Sequence, residues 1–425
     1  GGGGAAVPAA AGAQGFQGQV TDVDRPLAKV LSPDELRALC TALPKAELHA
    51  HLSGTVRPST LEELLVAQGV DPSTERLCLD ALHVQDSLKD TWDQTVEAFA
   101  TIRKVTAGEA SVLTRVVDEA VGLYAAAGCV YFEIRTGLKP LPDKRNFLSV
   151  VGAAIKRAEG KYGVIVRLLV SVDRGASAQE AEEAISIAVE AFEGQNREHG
   201  VVVGVEMGGN PLRGDWEKTF RPLFERARKA GLKVSLHFAE NQGWEEEHGA
   251  ILDFAPDRVG HAVFMSKAIA ARLLKSKTPV EVCATCHEAF YKVPLASNVF
   301  GTLHKASHPA ILCCDNACLL RTGIDTEYLR VIQAFGLSAR DVDRLLSAAV
   351  SAIFADDNTR ARVRDRTEAK LARLFPTLHG RKPDPKQPQA LGGVLGGSTA
   401  AALAGTVAAS LLIGAAAYAR IRASR

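Results

Sequence analysis

His49-Ala50-His51 is the first place in the chain where residue types and spacing point to chemistry. In an extended strand, residues i and i+2 share a face. The two imidazoles would then look the same way and offer a pair of nitrogen donors to a divalent cation. A single H-x-H pair is weak evidence in a chain with 11 histidines. His237 and Asp315 strengthen it. Three imidazoles and one carboxylate suit zinc and leave a position open for a water, which the ion acidifies toward neutral pH. Glu240, three residues past His237, could serve as general acid or base, and His261 could orient or deprotonate that water. Each also has a plain structural reading: Glu240 as a carboxylate in a helix first turn, and His261 as a satisfied core histidine.

A second motif, EVCATCH (281–287), has the Cys-x-x-Cys-His spacing of a haem attachment site. It would lie in a strand and the loop after it, with no room for a porphyrin. A zinc ribbon needs a second cysteine pair at similar spacing, which the chain lacks. The cytidine-deaminase pattern needs H-x-E and P-C-x-x-C, and here the spacing is H-x-x-E with no proline before Cys283.

The elements that must position these residues are eight short β-rich runs separated by amphipathic helical segments. The runs are 46–53, 129–136, 164–174, 202–209, 233–240, 258–264, 279–286 and 309–316. Most are near-continuous apolar stretches, as expected of parallel strands covered on both faces. The first two start at residues 46 and 129, so extra helices must lie between them. Eight such units predict a (β/α)8 TIM barrel, with a doubly wound open sheet as the alternative that periodicity alone leaves open. In a barrel, His49, His51, His237, Glu240, His261 and Asp315 would gather at the C-terminal rim, where barrel enzymes do their chemistry.

The ends differ in composition. Residues 1–30 are Gly/Ala-rich at their start and read as low-complexity and disordered, 31–375 as the barrel, and 376–389 as a Pro-rich linker. Residues 390–425 form an apolar Ala/Gly-rich tail, whose uncharged stretch to Ala419 is long enough to span a bilayer and is followed by Arg420, Arg422 and Arg425. The tail reads either as a membrane anchor or as a biased disordered segment. Eight cysteines, several inside apolar runs, suit a reducing, cytoplasmic compartment rather than a disulfide framework. A net charge of +1 without a basic patch argues against nucleic acid as partner.

Taken together, PKAELHAHLSG, YFEIRTG, VEMGGNP, LHFAEN, DRVGHAVF and ILCCDNACLL resemble, in order, motifs of the adenosine deaminase family, over residues 34–370. Within it the chain resembles the adenosine-deaminase-like branch that acts on N6-methyl-AMP. The resemblance implies one Zn2+ held by His49, His51, His237 and Asp315. It implies Glu240 as the acid that protonates the purine ring, His261 as the group that deprotonates and holds the water, and Gly209 as a backbone donor to a ring nitrogen. The chain departs from the family twice. Asn316 stands where a second aspartate is usual, and Cys286-His287 where a Ser–Asn pair is usual. An amide donates without proton uptake, so Asn316 is expected to keep a contact with the imidazole side of the purine.

For a 5′-phosphate the sequence offers Arg174 and Lys139 after two strands, with the hydroxyls of Ser53 and Thr55. The expected reaction is hydrolytic deamination at C6 of a purine nucleotide, N6-methyl-AMP giving IMP and methylamine. Two alternatives stand beside it. One is the same chemistry on adenosine; the other is a catalytically impaired, membrane-tethered nucleotide-binding protein.

Overall fold

The computed structural model describes residues 15–79, 88–106, 108–194 and 200–380. Its frame is a single sheet of eight strands in sequence order: β1 Ala46–His51, β2 Tyr131–Gly137, β3 Ile165–Asp173, β4 Val202–Gly208, β5 Lys233–Phe238, β6 Arg258–His261, β7 Val280–Val282 and β8 Ala310–Leu312. Every neighbouring pair is parallel. The sheet closes on itself just past β8, through a parallel bridge between Ala50 and Asp315. There the His51 N–H donates to the Asp315 carbonyl (3.0 Å) and the Asp315 N–H to the His49 carbonyl (2.8 Å). This closure makes the expected (β/α)8 barrel and excludes the open sheet.

Helices cover the outside. Their starts carry local signals, such as the capping boxes Ser32–Glu35 and Ser177–Glu180, in which hydroxyl and carboxylate satisfy the first free N–H groups. Between β1 and β2 lie the expected extra helices Pro58–Ala67, Leu88–Thr106 and Ala110–Ala126. Along β1, Ala46, Leu48 and Ala50 alternate with Glu47, His49 and His51. The first set packs outward in apolar surroundings, and the second points into the barrel.

The barrel interior is not the usual filling of branched aliphatic side chains. Glu47, Glu133, Arg135, Glu206, Arg258 and Glu281 are all fully buried there. Arg258 Nε meets Glu281 Oε1 (2.5 Å) and its guanidinium also pairs with Glu133, while Arg135 Nη2 meets Glu281 Oε2 (2.9 Å). Such charges are tolerated in a low-dielectric interior only when they are paired and hydrogen-bonded.

Two boundaries differ from the sequence reading. Residues from Gln19 on are packed rather than disordered: Val20, Val23 and Leu27 are buried, Val20 N–H donates to the Leu374 carbonyl (2.8 Å), and Pro26 bridges Ser338. Apolar residues spaced at 20, 23 and 27 drive this, a pattern the Gly/Ala-rich start conceals. The run 279–286 is a strand only to Val282; a helix, Ala284–Tyr291, starts directly after Cys283. Among the described residues no helix is long and apolar enough to cross a membrane. The tail 390–425, residues 1–14, and the linker beyond Gly380 lie outside the described residues.

Candidate active site

The histidines and carboxylates do converge. His49 and His51 leave β1, His237 β5 and His261 β6, while Asp315 follows β8. Ring centroids lie 4.6 Å apart for His49–His237, 4.7 Å for His49–His261 and 5.3 Å for His51–His237. His51 Nε2 is 3.3 Å from His237 Nε2 and 3.4 Å from Asp315 Oδ1, and His49 Nε2 is 3.9 Å from the same oxygen. The close approach needs glycines: a Cβ at 208 would lie 2.6 Å from His237 Cε1, and one at 260 would lie 2.7 Å from His49 Cε1. Several strand ends also turn through the left-handed region at non-glycine residues, including His261 (φ 66°), Asp315 (φ 64°) and Ala239 (φ 53°) beside Glu240. Such conformations cost about 1–3 kcal/mol each and persist where the surroundings enforce them, typically at functional sites.

Buried carboxylates aim the imidazoles. Glu281 Oε2 sits 2.5 Å from His49 Nδ1, and Glu206 Oε2 sits 3.2 Å from His237 Nδ1. Each leaves the opposite ring nitrogen, Nε2, facing its neighbours. Partners of this kind fix the tautomer and orientation of metal-ligating histidines. His49 Nε2 is sealed from solvent yet has no hydrogen-bond partner, which would be costly for a site meant to stay as a bare imidazole cluster. Burial holds His49 well below the usual histidine range and brings His51 to about 3, so both are neutral donors. His237 differs: burial lowers its pKa, but Glu206 and Glu240 outweigh that and push it up to about 9. Three nitrogens and a carboxylate oxygen crowded in this way fit a divalent cation.

His51, His237, His261 and Asp315 of the cluster line the floor of a cavity of about 870 Å³, a volume suited to a small molecule, with His49 buried behind them. His51, His237, Glu240, His261, Asp315, Asn316, Gly209, Ser53 and Lys139 all line it. Glu240 Oε1 lies 3.8 Å from His261 Nε2 and accepts a hydrogen bond from the Tyr291 hydroxyl. Burial raises the pKa of Glu240 and carries Asp315 to about 6.

Two expectations need correction. Arg174 does not reach the cavity. It is 3% exposed, its Nη2 is forked by Glu247 (2.8 and 2.9 Å), and its Nε donates to the Arg213 carbonyl (3.0 Å). Thr55 is buried, with its hydroxyl spent on the Leu52 carbonyl (2.8 Å). Asn316 lines the cavity, and its amide donates one bond to Asp315 Oδ1 (2.7 Å). EVCATCH, in turn, serves both site and core: Glu281 backs His49, and the His287 ring lies 5.5 Å from that of His261. Cys283 and Cys286 belong to a buried apolar cluster, while His287 is held by Asn298 Nδ2 at 2.9 Å.

Sequence reasoning missed four participants. Glu206 and Glu281 sat inside quoted motifs, and a strand-alternation argument could have turned them inward. Arg103, on Leu88–Thr106, lines the cavity mouth with Thr95, Val96 and Phe99; no motif marked it. Tyr291 closes Ala284–Tyr291; it lies past the expected strand 279–286, where no motif marked it.

Fold and site together define a hydrolase barrel with a cation-binding donor set. The adenosine deaminase family model matches residues 44–370. The chain is 31% identical to the N6-mAMP deaminase of Arabidopsis thaliana, over 76% of this chain and 96% of the relative. It is 30% identical to the N6-methyl-AMP deaminase of Homo sapiens, over 76% and 92%. A crystal structure of Arabidopsis ADAL complexed with IMP superposes with a TM-score of 0.69 at 31% identity, over 78% of this chain and 98% of that one. The chain belongs to the adenosine deaminase family and is a purine aminohydrolase.

Proposed function

We propose that the chain hydrolyses the C6–N6 bond of a purine nucleotide, N6-methyl-AMP to IMP and methylamine, with one zinc ion held by His49, His51, His237 and Asp315. The observation that carries this reading is the continuity of one cavity. Its floor holds the donor cluster with Glu240 and His261, and its lining also holds Lys139 and Arg103. The relatives' activity and the IMP bound in the Arabidopsis structure support the same substrate class.

His49, His51, His237 and Asp315 would hold the zinc ion, which would lower the pKa of a water bound beside the reacting carbon. The rest falls to side chains. Burial raises the pKa of Glu240, which favours the protonated carboxyl, and Glu240 gives its proton to the ring nitrogen beside C6. That transfer makes C6 electrophilic. His261 lines the cavity floor with Nε2 3.8 Å from Glu240 Oε1, and takes a proton from the attacking water. Gly209, with φ 102° at the cavity wall, presents its backbone N–H to a ring nitrogen. Asn316 orients Asp315 through the bond to Oδ1.

The phosphate end is carried by Lys139 and Arg103, with Ser53 as a hydroxyl donor. Burial and the charge of Arg103 lower the Lys139 pKa to about 8. Two cations that destabilise each other's charge accept a dianion readily, because the anion relieves that repulsion. The test is a parallel measurement of kcat/KM for N6-methyl-AMP, AMP and adenosine on the zinc-loaded full chain. N6-methyl-AMP should lead. Preference for adenosine would replace the nucleotide reading with the nucleoside one.

A further inference from the structure

Glu240 has two carboxyl oxygens, and the structure treats them differently. Oε1 accepts the Tyr291 hydroxyl and lies 3.8 Å from His261 Nε2. Among the described residues no group bonds Oε2. Both Tyr291 and Glu240 line the cavity and are at most 6% exposed. A carboxyl group on a two-torsion stem can present either oxygen to a ligand unless something holds its plane.

Tyr291 itself is held firmly. It is the last residue of Ala284–Tyr291, and Lys292 then ends the helix in the left-handed region at φ 55°. Its ring meets Phe264 edge-on at 5.9 Å, His261 at 6.0 Å and His287 at 6.2 Å. His287 is fixed in turn by Asn298 (2.9 Å). The phenol therefore cannot swing away without breaking a packed aromatic cluster, and its oxygen is aimed at one carboxyl oxygen.

We infer that Tyr291 is a positioning residue for the reaction: it pins Oε1 of Glu240, leaves Oε2 to deliver the proton, and stabilises the carboxylate that remains. The inference rests on the reading of Glu240 as the acid. In the step, the Oε2–H bond breaks and an N–H bond forms on the purine ring. The electron pair stays on the carboxylate, and Tyr291 keeps its own proton throughout. A donor fixed before the step, and bonded more strongly once the acceptor is ionised, lowers the barrier without reorganisation.

The experiment compares wild type, Tyr291→Phe and Glu240→Gln in the zinc-loaded full chain with N6-methyl-AMP. It adds a chain carrying fluorinated tyrosines of graded acidity at position 291, which keep the packed ring. Loss of a hydrogen bond to a charged acceptor predicts that Y291F lowers kcat about 10- to 100-fold, with KM within about twofold. In the fluorotyrosine series kcat should follow phenol acidity, which a purely structural role would not produce. Wild-type kcat in Y291F beside an inactive E240Q overturns the inference alone. An active E240Q overturns it together with the assignment of the acid.

Discussion

The floor of the cavity and its mouth are built on different principles. On the floor, each polar side chain stands at or just past a strand end and several are aimed by a buried partner, as Glu281 aims His49 and Glu206 aims His237. At the mouth, Arg103 comes from a helix inserted between β1 and β2, and Lys139 from the segment after β2. Neither makes an ion pair with a described residue. Rigid scaffolding suits atoms that must meet within tenths of an ångström, whereas a phosphate can be held by looser cations. The comparison teaches that the floor should fail sharply under substitution, and the mouth gradually and selectively.

Glu240→Gln tests the floor hardest. Removing a positioned general acid should cost about 10²- to 10⁴-fold in kcat while the metal stays bound, read by steady-state turnover and metal analysis. Glu281→Gln comes next. It touches no ligand-facing atom, yet loss of the partner on His49 Nδ1 should weaken metal affinity about 10- to 100-fold, measured by chelator competition.

At the mouth, Lys139→Ala should lower kcat/KM for the nucleotide by about tenfold, the worth of one charged hydrogen bond, and leave adenosine unaffected. The same lysine predicts a pH effect. Its pKa is lowered to about 8, so the charge is present below that pH and lost as pH rises through it. Nucleotide kcat/KM should therefore fall above about pH 8, and Lys139→Arg, which stays charged, should remove that fall. Arg174→Gln should have the smallest kinetic effect. It should leave kcat/KM unchanged and lower thermal stability, because it strands Glu247; breaking a buried pair costs about 3–5 kcal/mol, and partial exposure of Glu247 at 17% places this one at the low end or below.

The difference between the regions also explains what the sequence made legible. His49 and His51 were readable because strand period fixes which side chains share a face. His237, Glu240 and Asp315 were readable because they lie at the ends of apolar runs, and His261 because it follows a glycine inside one. Arg174 looked equivalent to Lys139, since both follow strands. What separates them is Glu247, on a distant helix, and no local pattern announces that pair. Arg103 was hidden because it reaches the cavity from a helix whose docking no local pattern announces. The helix after Cys283 was hidden by its composition: ATC continues the apolar character of β7, and only the break in strand pairing ends it. Residues 19–30 were hidden by their neighbours, because a few spaced apolar side chains beside a Gly/Ala tract do not register in a composition average.

The most direct test of the account is a product analysis of N6-methyl-AMP incubated with zinc-loaded full chain. The expected products are IMP and methylamine in equal amounts, with neither formed by Glu240→Gln. Binding of N6-methyl-AMP without any conversion, in a chain shown to hold its zinc, would contradict it.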